Sequence, residues 1–221
     1  MPVFKSKEVF LKSSTVPYIT QYSNTYQEEV IGTPAGQISY ENPFPGIAVA
    51  VTSAFGKRKL LGDQWPEALK QCHWHFAVDI GGTGFNTFKA PEKGRASMVL
   101  NQTIPDGCWG APLGDDHATP IVKLEAVSGN THYFVHCDGS IVGSGKDVEA
   151  GQNWCKGAPW YGGPHVHWVF TKKGSNTPLD VFKYFIDDPQ VKATSPAMKA
   201  LADILRPSYQ QAVAALNCPQ V

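Results

Sequence analysis

The chain has no excess of either charge: 19 Lys and Arg balance 19 Asp and Glu over 221 residues, with no block of like charge. An electrostatic footprint for nucleic acid or an anionic membrane is therefore missing. Long apolar runs are missing too. None approaches the roughly 18 residues that a bilayer span needs, the longest lying around Ile47 to Val51. The opening stretch, Met1-Pro-Val-Phe-Lys-Ser-Lys-Glu-Val-Phe-Leu-Lys12, holds no uninterrupted apolar segment, so no secretory signal is read there. No HExxH occurs, which excludes a helix-borne glutamate base of the thermolysin type. The five cysteines, Cys72, Cys108, Cys137, Cys155 and Cys218, contain no CxxC pair, which argues against a zinc ribbon or a thioredoxin-type motif. Gly143-Ser-Gly-Lys146 has no glycine five residues before Gly145 and carries Asp147 where a phosphate loop needs Ser or Thr, which argues against nucleotide binding.

What is present is enough apolar content, 42%, to bury a core, with 21 Gly and 17 Pro implying many turns. Short β-type runs alternate with turn residues from Ile47 onward: 47–51, 76–80, 96–100, 121–127, 132–136 and 165–170. This spacing predicts a β-rich fold, all-β to α+β, built on an antiparallel sheet. Ser128-Gly-Asn130 reads as the turn of a hairpin that places His136 at the far end of the return strand. Near the end, Ser195 caps a helix with Pro196 at its first position and Met198, Leu201, Ala202 and Leu205 at helical spacing. Pro207 is expected to separate it from a second helix carrying Tyr209, Val213 and Leu216.

Two short runs carry the chemistry, His75-Phe-Ala-Val-Asp79 and Pro164-His165-Val-His167-Trp168. A strand places residues i, i+2 and i+4 on one face, so each run can aim its polar side chains at a common point. Two imidazoles and a carboxylate suit zinc, with a fourth position left for water, and that open pattern is catalytic rather than structural. An isolated HxH is a weak signal. The pairing with HxxxD, and a third run ending in His136, strengthens it.

Further elements in series resemble the M23 peptidases, the lysostaphin-like and LytM-like zinc endopeptidases of peptidoglycan. Val51-Thr-Ser-Ala-Phe-Gly-Lys-Arg58 is similar to their "TSxFGxR" entry, and Lys89-Ala-Pro-Glu-Lys-Gly94 to their "APxxG" turn. Phe134-Val-His136 is similar to "Y-x-H", residues 145–152 to "G-x-x-V-x-x-G-Q", and Gly163-Pro-His-Val-His-Trp168 to "GPHLHF". The resemblance covers about residues 47–185 and implies a LytM-like antiparallel sheet core. It divides the chain into an extension over 1–45, a peptidase domain over 46–186 and a helical extension over 187–221. It further implies that His75, Asp79 and His167 bind one Zn²⁺, with His136 and His165 as the catalytic pair beside the open position. His73-Trp-His75 is also an HxH, but only His75 has the three-residue gap to Asp79 that the motif demands. His73 is then read as a groove-wall residue, and His117 and His132 as ordinary polar residues. Phe134 for Tyr, Ala77 for Gly and Trp168 for Phe depart from the pattern, and these changes bear on substrate fit.

The expected activity is hydrolysis of peptide bonds in the stems or cross-bridges of bacterial peptidoglycan, a bacteriolytic chemistry exerted outside the cytoplasm, in the periplasm or wall. Without a signal, delivery by a phage particle, by lysis or by a secretion machine is expected, and the sequence names no delivery or immunity partner. A catalytically inactive module that binds the wall or serves a larger particle is the rival reading. A cupin-like metal barrel lacks the later single His it needs. Cys108, in a long insertion between Met98 and Ile121, and Cys155, before the HxH strand, are expected to form a disulfide across the cleft, with Cys218 left as a free thiol. Trp154, Trp160 and Tyr161 are candidates for the wall of a groove.

Overall fold

The computed structural model describes residues 38–61, 70–84, 87–99, 121–157, 165–175 and 177–220. Most of the 1–45 extension, residues 100–120 of the insertion between Met98 and Ile121, with Cys108 and His117, and Trp160 and Tyr161 lie outside the described residues. The chain contributes β1 (Val49–Ser53), β2 (Gly56–Arg58), β3 (His73–His75), β4 (Val78–Gly82), β5 (Thr87–Lys89) and β6 (Gly94–Val99). It continues with β7 (Ile121–Ala126), β8 (Thr131–Val135), β9 (Cys137–Ser140), β10 (Lys146–Val148), β11 (Asn153–Gly157) and β12 (His165–Thr171). A π-helical turn (Phe182–Ile186), α1 (Pro189–Thr194) and α2 (Pro196–Ala214) follow. The fold is β-rich, with a C-terminal helix, as the periodicity implies.

Seven strands form an antiparallel sheet in the order β1-β4-β12-β8-β7-β6-β10. A smaller sheet runs β5-β11-β9, and β2 pairs with β3. The β7–β8 hairpin closes through Ser128-Gly-Asn130, where Gly129 has φ 89 and donates its N–H to the Ala126 carbonyl at 2.8 Å. Glycine enters this left-handed region without a Cβ penalty.

Alternation along the central strands sorts side chains between two faces. Val78, Ile80, Phe134, Val166, Trp168 and Phe170 are fully buried in the main core. Ala77, Ile121, Tyr133, Val135 and Val169 form a smaller cluster on the other face. Aromatic rings fill the main core, with Phe134 edge-on to both Trp154 and Trp168 at 4.9 Å between centroids. Such rings supply the largest apolar areas available to a chain of this size. Trp154 is therefore a core residue and not a groove wall; its exposure is 0%.

Ser195 caps α2 as expected, its Oγ accepting from the Met198 N–H at 3.1 Å. The helix does not stop at Pro207, however, and one element spans both apolar stripes. Leu205 and Tyr209, on either side of the proline, are both buried against the core, so packing outweighs the missing backbone donor. The Ser208 hydroxyl reinforces this by accepting the Val51 N–H of β1 at 2.9 Å. No helix among the described residues is long and apolar enough to cross a membrane.

The cysteine expectation is overturned. Cys155 bonds Cys137, and Cys218 bonds Cys72, with Cα separations of 6.2 and 5.8 Å. The reason for the first lies in the small sheet, where β11 runs antiparallel to β9 and brings Cys155 beside the strand that Cys137 opens. The second clips the tail to the β2–β3 hairpin. There the Gln220 amide donates to the Lys57 carbonyl and accepts the Lys57 N–H, both at 2.8 Å, and Asn217 accepts the Lys59 N–H at 2.9 Å. Tail side chains thus stand in for a neighbouring strand along β2.

Candidate metal centre

Register does most of the assembly. Asp79 on β4 faces His167 on β12 as a direct cross-strand pair, and His167 faces Val135 on β8. His165 lies two residues from His167 and shares its face, while His136 follows immediately after Val135. His75 arrives from the separate β2–β3 pair, at the end of β3.

These elements bring His75, Asp79 and His167 together. His75 Nε2, His167 Nδ1 and Asp79 Oδ1 lie 3.1, 2.8 and 3.2 Å apart in pairs. A tetrahedral ion with bonds near 2.0–2.1 Å needs ligand atoms roughly 3.3 Å apart, so the triangle fits zinc with small adjustment. Among the described residues this is the group of His, Cys, Asp and Glu side chains placed to hold a metal ion, and all three members are buried. His75 has its Nδ1 engaged with the Ala54 carbonyl at 2.9 Å, which fixes the tautomer and leaves the Nε2 lone pair facing the cluster.

Asp79 divides its oxygens. Oδ1 faces the two imidazoles, and Oδ2 accepts from Arg58 at 3.3 Å. Arg58 also contacts the Ser53 hydroxyl. Both belong to the run 51–58 singled out in the sequence, where neither had been given a task. The spacing of that run carried the signal, since Ser53 stands opposite Asp79 across β1–β4.

The ionisation pattern suits a cation. Burial, and then the Arg58 charge, hold the His75 imidazole down at about 4, so it is neutral at pH 7. Burial opposes ionisation of Asp79, but the facing imidazoles outweigh it and keep the carboxyl well below the usual carboxylate range. Neutral imidazole and carboxylate are the forms a metal takes up.

His136 and His165 stand beside this cluster, their rings 4.8 Å apart, with His136 5.9 Å from the His167 ring. His136 is buried and His165 half-buried. Burial, and then its histidine neighbours, push the His136 imidazole well below the ordinary histidine value. All five expected residues therefore meet. His73 is not among them: it is half-buried near the start of β3, with Nδ1 on the Gln71 carbonyl at 3.0 Å.

The departures from the motif sit elsewhere than expected. Phe134 and Trp168 point into the main core, and Ala77 into the smaller cluster, so they bear on packing rather than substrate fit. Behind the sheet, His132 is more than an ordinary polar residue. It is fully buried, with Nε2 2.6 Å from Glu92 Oε2 and Nδ1 accepting the Trp168 indole N–H at 3.2 Å.

The fold is similar to solved peptidase structures. Lysostaphin from Staphylococcus simulans aligns with TM-score 0.45 and 17% identity over 71% of this chain and 56% of that one. A zinc-containing peptidase from Vibrio cholerae aligns with TM-score 0.46 and 18% identity over 66% and 40% of the two chains. LytU aligns with TM-score 0.44 and 21% identity over 72% and 97%. The alignments span about half the length of the first two solved chains. No family model and no curated protein matches the chain.

Proposed function

We propose that this chain is a zinc-dependent metalloendopeptidase that hydrolyses peptide bonds in the stems or cross-bridges of bacterial peptidoglycan, acting outside the cytoplasm. The observation that carries the reading is the convergence of three ligand-type atoms, from His75, Asp79 and His167, with two further imidazoles at one side. The series of motifs in the sequence directs it to wall peptides.

On this reading His75 Nε2, Asp79 Oδ1 and His167 Nδ1 would hold the metal. Zinc in that place would supply Lewis acidity, lowering the pKa of a water toward roughly 7 and polarising the scissile carbonyl. His136, neutral at pH 7, can accept a proton at an imidazole nitrogen, and together with His165 it serves as the acid–base pair. One imidazole takes the proton of the attacking water. The other steadies the carbonyl oxygen or returns a proton to the leaving amine nitrogen. Arg58 holds the outer oxygen of Asp79, which would leave Oδ1 as the oxygen turned toward the two imidazoles and free to take a metal.

The test is incubation of purified protein with sacculi of several wall chemotypes, with and without chelator, followed by mass spectrometry of released peptides. New peptide ends that disappear with chelator are expected. Binding to the wall with no new ends in any chemotype would overturn the reading in favour of a non-cutting module.

A further inference from the structure

β8 belongs to the seven-stranded sheet and ends at Val135, while β9 belongs to the three-stranded sheet and begins at Cys137. The chain passes from one sheet to the other through a single residue, His136. That residue has φ 67, and among the described residues it is the one non-glycine with positive φ. A side-chain-bearing residue is uncommon in this region, although histidine enters it more readily than most, so what flanks the corner matters to holding it there.

Both flanks are held. Val135 pairs with His167, so the near side is fixed to the strand that supplies a cluster histidine. On the far side Cys137 pairs with Gly157 and is bonded to Cys155, and both sulfurs belong to fully buried residues. The backbone ladder of β9–β11 is irregular at this point, shifting register between Lys156 and Gly157. The covalent bond is therefore the firm anchor on that side.

We infer that the Cys137–Cys155 disulfide is a positioning element for His136, holding the corner between the sheets so that its imidazole faces His165 and the His75–Asp79–His167 cluster. The inference rests on the peptidase reading for the role of His136. Released from the bond, His136 can relax to negative φ, which swings its Cα–Cβ direction away from the cluster. A displacement of about 1 Å in a catalytic group can lower rate by roughly 100-fold.

The experiment compares wild type with the Cys137→Ala/Cys155→Ala double variant for zinc content, kcat and KM on a soluble wall peptide, and crystal structure. We expect kcat to fall by about 10- to 100-fold, zinc content and KM to stay within about twofold, and His136 to leave φ 67 or its 4.8 Å ring contact with His165. Unchanged kcat, an unmoved His136, or a loss of rate that simply follows loss of zinc would each overturn the inference. Should the double variant not fold, wild type equilibrated across a glutathione series serves instead, with each disulfide scored by mass spectrometry. There kcat per bound zinc must follow the Cys137–Cys155 pair and not Cys72–Cys218, and any other dependence overturns the inference. If oxidised, zinc-loaded wild type cuts no wall peptide, the peptidase reading fails, and the conformation of His136 in the variant still decides the positioning role.

Discussion

The His75 side of the site and the His136 side are each tied by one disulfide, and the ties differ in kind. Cys72–Cys218 closes a span of 146 residues and clips the tail onto the hairpin that delivers His75. Cys137–Cys155 closes only 18 residues, but it begins one residue after His136. In the chain-entropy account a cross-link stabilises with the logarithm of its loop, about 5 kcal/mol for the long tie and about 3 kcal/mol for the short one. The greater stabilisation thus lies on the side expected to hold metal, and the smaller lies on the side expected to move protons. A staple's stability and its bearing on chemistry are separate properties.

The comparison breaks most visibly at the site itself. His75→Ala or Asp79→Ala is expected to abolish bound zinc and, with it, hydrolysis down to background, whereas His136→Ala keeps the zinc and loses about 10²- to 10⁴-fold in kcat. Metal analysis beside peptide-release assays checks this, and full zinc occupancy in either of the first two variants defeats the ligand assignment. Urea unfolding then tests the two ties. Removing Cys72–Cys218 as an alanine pair should cost about 5 kcal/mol and removing Cys137–Cys155 about 3 kcal/mol, and a reversed order breaks the comparison.

Arg58→Ala sharpens the metal side. With Asp79 Oδ2 released, zinc affinity is expected to weaken by about 10- to 100-fold while kcat of the loaded protein changes little, as competition with a chromophoric chelator would reveal. The smallest effect lies far from both ties, at Asp187. Partial burial raises its pKa, but hydrogen bonds from Arg206 and Lys192 outweigh that and leave the carboxyl below its ordinary range. A depressed folded pKa gives stability that is present above the unfolded value and lost as pH falls through the folded one. Asp187→Asn should therefore be less stable than wild type at pH 7, with the gap shrinking below about pH 4; a gap that persists at pH 2 refutes the charge-based account.

Much of the site was legible because strand alternation is a local code. Asp79 on one run and His165 and His167 on another follow from period-two spacing, and the hairpin at Ser128-Gly-Asn130 carried His136 to the right end of its strand. The convergence of Asp79, His165 and His167 on one side of the sheet follows from register, whereas His75 comes from the separate β2–β3 pair and His136 from the corner after β8. Other features depend on contacts distant in sequence. Cysteine spacing cannot choose among pairings, and the partner of Cys155 was decided by which strand β11 lies beside. Pro207 reads as a break until the core contacts of Leu205 and Tyr209 are known. His132 looked ordinary because Glu92, its partner, lies 40 residues away in sequence.

One of the two edge strands of the large sheet is β1, and its outward Val51 N–H is satisfied by Ser208 from α2. A bare strand edge is an invitation to fibril-like pairing between molecules. By laying a hydroxyl-bearing helix along that margin, the chain covers one of its two borders with its own residues, so the C-terminal helix blunts that edge as well as contributing buried area.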